Sequence, residues 1–185
     1  MLSHLIKQPI QTKNKIPMFF GSFSKTPMRR KDREITDLIE IGGIINKCDT
    51  VRVAFPQDRE GFPYILPMSF AYDGKNFYLH SSKDGRKMEI LKHSPVKVGF
   101  ELDTDHELVV GKAGCDWGFK YSSVIGVGYA QLVNDENEVQ KGLNLIMKNY
   151  DPNPKKSYEF KPRKLKSTRV WKIEIFDIKG KSNVK

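Results

Sequence analysis

Cysteine and histidine are scarce in this chain. Its 185 residues include two cysteines, Cys48 and Cys115, and four histidines. Two cysteines provide no disulfide framework, which favours a reducing, cytoplasmic environment. His4, His93 and His106 lack the spacing of metal ligands, so no metal site is predicted. No obvious base adjoins Cys115 in the sequence, and we interpret it as a tolerated thiol rather than a nucleophile.

Long apolar runs are absent too. No stretch reaches the roughly 20 apolar residues that a membrane-spanning helix needs. No apolar core precedes a small-residue cleavage site, so a secretory signal is not predicted either. What is present is 38% hydrophobic and 11% aromatic residues, a composition typical of a globular protein with many strands. The length favours one domain with a sizeable core.

Acidic residues are missing from the N-terminal part of the chain. Residues 1–31 carry seven Lys or Arg and no Asp or Glu, and residues 155–185 carry eleven against three. Residues 32–154 are net acidic, although the whole chain has a formal net charge of +10. The basic excess therefore lies at the two ends, which argues against a nucleic-acid recognition face built into the fold. Weak contacts of the ends with polyanions stay open.

The hydrophobic pattern predicts a mixed chain with mainly β structure. Residues 1–27 contain three prolines and no clear periodicity, and they fit a flexible leader, a partner-binding arm or sequence upstream of a start at Met28. Periodicity then predicts helices over 36–47, 86–93 and 134–150. Strands are predicted over 50–55, 62–71, 76–80, 95–102, 119–133 and 168–178, with a tail from 179. Short connections favour an antiparallel sheet that could close as a small barrel, with helices covering its ends.

Two predicted strands have unusual residues. Pro63 and Pro67 interrupt the run 62–71, which indicates an edge strand, a bulge or missing ladder bonds. Gly126 and Gly128 share one face of the run 119–133. Their missing side chains indicate close approach of another backbone, a bend in a barrel wall, or a flat ligand.

The turn after the strand 76–80 is a candidate phosphate site. Two hydroxyls and three cations surround the predicted start of a helix, at Ser81, Ser82, Lys83, Arg86 and Lys87. Outward-pointing N–H groups with such side chains suit a phosphate dianion. A capped, solvated helix start with basic neighbours has the same local pattern, and the local pattern alone does not separate the two.

Four motifs, in order, resemble those of a known family. They are residues 28–35, 63–70 (PYILPMSF), 77–87 (FYLHSSKDGRK) and 115–126, from Cys-Asp-Trp to Tyr-Ser-Ser-Val-Ile-Gly. Together they resemble the pyridoxamine 5′-phosphate oxidase-like flavoproteins, specifically the nitroimidazole-reductase (Nim) group. The resemblance covers residues 28 to about 180, leaving 1–27 as an extra arm and 181–185 as a tail.

The resemblance implies a split β-barrel that binds FMN at a homodimer interface. The turn would hold the FMN phosphate through Ser81, Ser82, Lys83, Gly85, Arg86 and Lys87. The backbone of Pro67, Met68 and Ser69 would run along the isoalloxazine edge. Tyr121 and Ser123 would reach the flavin from the partner subunit. One residue departs from the family, which often has Arg where this chain has Ser122.

The resemblance also suggests a role for His80, which matches a histidine near the flavin in the Nim group. It could donate a proton to a reduced substrate, because imidazole titrates near neutral pH, or it could only hydrogen-bond the cofactor phosphate.

Three hypotheses of function follow from the resemblance. The leading one is an FMN-dependent oxidoreductase that takes electrons from NAD(P)H and reduces a nitroaromatic or other flat small molecule. A pyridoxamine-phosphate-oxidase-like enzyme is a second, although the C-terminal arginines expected for that substrate are not apparent. A flavin-binding, storage or sensor protein without dedicated turnover is a third.

Overall fold

A computed structural model describes residues 28–57 and 61–184. The predicted N-terminal arm, residues 1–27, lies outside the described residues. The strands are β1 (Glu34–Ile35), β2 (Val51–Gln57), β3 (Pro63–Met68), β4 (Phe70–Tyr72), β5 (Asn76–Ser82), β6 (Val96–Val109), β7 (Gly118–Leu132) and β8 (Thr168–Ser182). The helices are α1 (Leu38–Lys47), α2 (Arg86–Leu91), α3 (Glu136–Tyr150) and α4 (Pro162–Ser167).

All strand pairs of the sheet are antiparallel. The order is β3-β2-β6-β7-β8-β5-β4, and the short β1 pairs with β8 beside this path. The hydrogen-bonded ladder does not join β3 to β4, so the sheet is not closed. The predicted class, a mainly β fold with peripheral helices and a split barrel, is confirmed.

The alternation of side chains along β5 and β8 gives the sheet two apolar faces. Phe77, Leu79 and Trp171 are buried in the larger core, which α1 and α2 cover. Tyr78 and Val170 point the opposite way, into a second core beneath α3. Both faces of this part of the sheet are therefore packed, which is why the two strands lack simple alternation between apolar and polar residues.

The predicted strand over 62–71 is two strands, and this prediction is corrected. β3 pairs with β2, whereas β4 pairs with β5, so the chain changes partners at Ser69. Side chains of α3 satisfy the backbone just after the change. The Phe70 amide donates to the Tyr150 hydroxyl (3.0 Å), and the Asn149 amide donates to the Phe70 carbonyl (3.0 Å). The two prolines lie in an edge strand, one of the alternatives that they indicated.

Other elements also differ from their predictions, and β5 takes in Ser81 and Ser82, which were predicted in the turn. β6 continues through the acidic residues to Val109, and the predicted basic loop contains the short helix α4. β8 continues to Ser182, two residues past the predicted end of the domain. Beyond it, the Asn183 side chain accepts from the Tyr121 amide (2.8 Å) and donates to the Phe119 carbonyl (2.9 Å). The predicted tail is therefore largely part of the sheet.

The two glycines of β7 lie where the backbone of β8 comes close. A Cβ on Gly126 would collide with the Phe100 ring and the Asp177 carbonyl. A Cβ on Gly128 would collide with the Glu174 carbonyl, and the ladder between β7 and β8 is irregular here. Close approach of a backbone thus accounts for both positions.

A polar network fixes α3 on the second core. The Tyr78 hydroxyl lies 3.1 Å from Glu138 Oε1 and 3.3 Å from Lys141 Nζ. Lys141 also pairs with Asp73 (2.9 Å), and Glu138 pairs with Lys172 of β8 (2.6 Å). The helix is therefore tied to the β4–β5 turn and to β8 at the same time.

Candidate functional site

The candidate site begins where β5 ends and the chain turns into α2. Gly85 has φ +107°, in the region that L residues rarely adopt, so the turn needs glycine there. The Gly85 carbonyl accepts the Met88 amide (2.9 Å), which starts the helix. The Lys83 amide donates to the Ser167 carbonyl at the end of α4 (3.2 Å). The turn is thus fixed on both sides, while Ser82 and Lys83 themselves are exposed.

Neighbouring residues of β5 face opposite sides of the sheet. The pairing sets Leu79 opposite Trp171 and Ser81 opposite Arg169, whereas His80 is opposite Val170. Because paired residues of an antiparallel ladder share a face, Ser81 lies on the face of Trp171. His80 lies on the other face, towards α3 and α4.

The cations of the turn reach towards β3. Lys87 Nζ lies 3.3 Å from the Met68 sulfur and 5.9 Å from the centroid of the Trp171 ring. The Arg86 guanidinium carbon lies 4.6 Å above the Tyr64 ring. Burial lowers the pKa of Lys87. The structure thus places Lys87 beside Met68 and Arg86 over Tyr64, although the cations lie 19 or more positions after these β3 residues in the sequence. Pro67 and Ser69, both exposed, flank Met68 at this edge.

Two buried polar atoms at this place have no partner. Among the described residues, Ser81 Oγ and Trp171 Nε1 are buried without a hydrogen bond. Leaving such an atom unpaired costs about 1–3 kcal/mol, so an unexplained one needs a reason. Both lie on the same face of the sheet, Lys87 Nζ lies near the Trp171 ring, and both groups can donate to an anion. The residues present therefore fit a bound phosphate group, and Trp171 is a member that the sequence analysis missed, because only the strand register places it there.

His80 is exposed on its own face of β5. Partial burial lowers its pKa, and the charge of Lys87 lowers it further. Its side chain lines a cavity with α3 and α4 and lies across the strand from Ser81.

Tyr121 and Ser123 lie far from the turn in the same chain. They pair with or adjoin residues 181–183 of the chain, whereas Ser81 pairs with Arg169 at the start of β8. At about 3.3 Å per residue, the separation along β8 is roughly 40 Å. Burial raises the pKa of Tyr121, but bonds to Lys181 and Arg33 lower it more, so the net pKa is lowered. One copy of the chain therefore does not bring these two residues to the turn.

Ser122, the departure from the family pattern, faces the interior. It is buried, and its hydroxyl lies 3.0 Å from that of Ser182. An arginine there would need to displace this contact. Within the described residues, no group of three or more His, Cys, Asp or Glu is arranged to hold a metal ion. No helix in the same part of the chain has the length and apolar character to cross a membrane.

Comparison with solved structures gives the same architecture. A candidate 5-nitroimidazole antibiotic resistance protein from Bacteroides thetaiotaomicron is 28% identical, with a TM-score of 0.68, over 80% of this chain and 85% of that one. The flavocytochrome Anf3 from Azotobacter vinelandii is 19% identical, with a TM-score of 0.75, over 89% and 75%. An FAD- and heme-binding protein from Mycobacterium smegmatis is 16% identical, with a TM-score of 0.73, over 83% and 74%.

Sequence comparison identifies the family. No curated protein sequence matches the chain. The family model described as pyridoxamine 5′-phosphate oxidase matches residues 39–182, which include every strand from β2 to β8 and the whole candidate site. This chain therefore belongs to the pyridoxamine 5′-phosphate oxidase family.

Proposed function

We propose that this protein is an FMN-dependent oxidoreductase that reduces nitroaromatic or other flat acceptors with electrons from NAD(P)H. The observation that carries the proposal is the unpartnered, buried Ser81 hydroxyl near the end of β5, just before the turn that leads to Lys87 in α2. Family membership and the nitroimidazole-resistance relative support it.

The residues of the turn have a defined part in this proposal. Ser81, Ser82 and the cations Lys83, Arg86 and Lys87 hold the terminal phosphate by charge-assisted hydrogen bonds. Gly85 lets the backbone approach the phosphate without a side chain. The edge of β3 at Pro67, Met68 and Ser69 has no ladder partner on its outer side among the described residues, and it borders the flavin ring. A bound flavin supplies the redox chemistry, and the protein binds and orients it.

A second copy of the chain completes the proposed site. Tyr121 and Ser123 reach the flavin only from a partner, because within one chain they lie at the opposite end of β8. We therefore propose a homodimer with two equivalent sites. The exposed apolar side chains near the end of the β6–β7 hairpin, such as Leu108, Trp117 and Phe119, offer surface for such contact.

The first test is the visible absorption spectrum of the purified protein, with the released cofactor identified. We expect FMN, either co-purified or taken up on incubation. Lys87→Ala should raise the dissociation constant for FMN by about 10- to 100-fold, because a hydrogen bond to a charged group contributes about 1.5–3 kcal/mol. Lys92→Ala is the control, since Lys92 is exposed and pairs with Glu89 (2.6 Å). No flavin after incubation, or equal effects of the two variants, would refute the phosphate turn.

Turnover is the second test. Anaerobic mixing of the FMN-loaded protein with NADH or NADPH and a nitroimidazole should oxidise the nicotinamide in step with loss of the nitro compound. Tight FMN binding without such turnover would replace the oxidoreductase proposal with that of a flavin storage or sensor protein. Conversion of pyridoxamine phosphate in the same assay would favour the oxidase alternative.

A further inference from the structure

A cavity of about 260 Å³ lies on the outer face of the sheet, between α3 and the segment 159–168. Its floor is apolar and includes Leu143 and Ile146 of α3 and Phe160 of the facing segment. Met147 at its mouth remains 42% exposed. The second core therefore leaves apolar surface uncovered here. Pockets for drug-sized ligands measure about 300–1,000 Å³, so this one suits a smaller, single-ring molecule.

The walls of the cavity are anchored in place. The Tyr158 amide donates to the Asn144 side chain on α3 (2.8 Å), and the Tyr158 hydroxyl donates to Asp151 (2.7 Å). On the other side, the bond from Lys83 to Ser167 ties α4 to the turn after β5. The cavity is thus held by contacts outside its own lining, and a ligand would need to order little of the protein on binding.

The charge around the cavity is mainly positive. Residues 155–169 contain seven Lys or Arg and one acid, Glu159, which also lines the cavity. Among the described residues, none of the seven forms an ion pair. Lys161 and Lys164 line the cavity itself. An apolar floor with cations at its edge is complementary to an aromatic molecule that carries one negative charge.

The cavity is separate from the proposed flavin site. His80 lines it, whereas Ser81 and Trp171 lie on the opposite face of β5. A ligand in the cavity therefore does not contact the face of the sheet that holds Ser81 and Trp171.

We propose that this cavity binds a small aromatic carboxylate, with its ring on the apolar floor and its carboxylate at Lys161 and Lys164. The N-terminal residues 1–27 are a poor alternative occupant, because they carry four lysines and no acid. Like charges would repel them from a surface of the same sign. The proposal does not rest on the proposed redox function.

Fluorine NMR of para-trifluoromethylbenzoate with the full-length, FMN-treated protein tests the proposal. We expect saturable binding with a dissociation constant below about 1 mM, and at least about tenfold weaker binding of the neutral para-trifluoromethylbenzyl alcohol. The probe should shift the proton resonance of His80, which is identified among four histidines by its loss in His80→Gln. Absence of saturable binding, equal binding of acid and alcohol, or an unmoved His80 resonance would each overturn the proposal.

Matched charge variants separate the cavity from the general basic surface. Lys161→Glu with Lys164→Glu should weaken binding of the acid at least about tenfold. Lys155→Glu with Lys156→Glu makes the same charge change just before the segment 159–168, at residues that do not line the cavity. This double variant should weaken binding less than about threefold. Equal losses in the two double variants would refute a defined site. Absorbance of the same samples measures their flavin content. Release of FMN by the probe would place the probe at the flavin site and overturn the proposal. A protein that never retains FMN can still bind the probe.

Discussion

Two glycines inside helices provide a matched test of how α3 packs on the sheet. A Cβ on exposed Gly43 of α1 would meet nothing within 4 Å. A Cβ on buried Gly142 of α3 would lie 2.9 Å from Tyr78 Cδ1 and 3.1 Å from Val170 Cγ1. Helix propensity alone favours alanine at both positions by about 0.5–1 kcal/mol. Packing predicts that the free energy of unfolding rises for Gly43→Ala and falls for Gly142→Ala.

The expected magnitudes follow from what the new methyl group meets. Gly43→Ala should raise the free energy of unfolding by about 0.5–1 kcal/mol. At Gly142 the overpacking cost of about 1–3 kcal/mol outweighs that gain, which leaves a net loss of up to about 2 kcal/mol. The Tyr78 ring cannot easily turn aside, because its hydroxyl is bonded to Glu138 and Lys141 and its side chain is buried.

Urea unfolding at one protein concentration measures both changes. The dependence of free energy on urea should stay the same, so that the midpoints report stability. In thermal unfolding, 1 kcal/mol corresponds to roughly 2–4 °C for a chain of this size. If both alanines stabilise the protein to a similar degree, then α3 does not pack on β5 and β8 as described.

Two further results are expected. The pKa of Asp73 is below its ordinary 3.8, because burial raises it but hydrogen bonds from Lys141 and two backbone amides lower it more. Its contribution to stability is present above pH 3.8 and is lost as the pH falls through the lower folded value. Asp73→Asn should therefore flatten the loss of stability that urea unfolding measures below pH 3.8. Burial, together with acidic neighbours, raises the pKa of Cys48 to about 12, whereas Cys115 is exposed. A thiol reagent at pH 8 should therefore label one cysteine in the native protein and two in denaturant. Rapid labelling of both cysteines in the native protein would contradict the buried position of Cys48.

Local turn chemistry is the part of the fold that the sequence predicted best. Asp73 and Gly74 form the usual Asp-Gly signal of a hairpin, and a hairpin joins β4 to β5 there, with Asp73 accepting the amides of Lys75 (3.1 Å) and Asn76 (2.8 Å). Gly74 adopts φ +93°. Such turns depend on a few adjacent residues, and a sequence contains all of them.

The break at Ser69 could not be predicted in the same way. The run from Phe62 to Ala71 has the composition of one strand, yet its first half pairs with the preceding strand β2 and its second half with the following strand β5. The two prolines indicated an irregular edge but not its place. Tertiary pairing decided the outcome, as it commonly does for strands.

The candidate site shows the same limit. Its cations and hydroxyls lie within the seven positions 81–87, and the phosphate site was predicted from them. Strand periodicity predicts that His80 and Ser81 lie on opposite faces of the sheet. Which neighbours each residue has on its face is known only from the pairing with β8. Trp171 is 84 positions from Lys87 in the sequence and has no local pattern that would link the two.

The change of partners at Ser69 has a mechanical consequence. The two outer strands of the sheet, β3 and β4, follow each other directly in the chain. β3 is hydrogen-bonded to β2 and β4 to β5, and the hydrogen bonds of Phe70 to α3 hold the connection between them. A force that detaches either strand is transmitted through a single residue to the other strand. β3 and β4, the two edge strands of the sheet, should therefore unfold together as one cooperative unit and not one after the other.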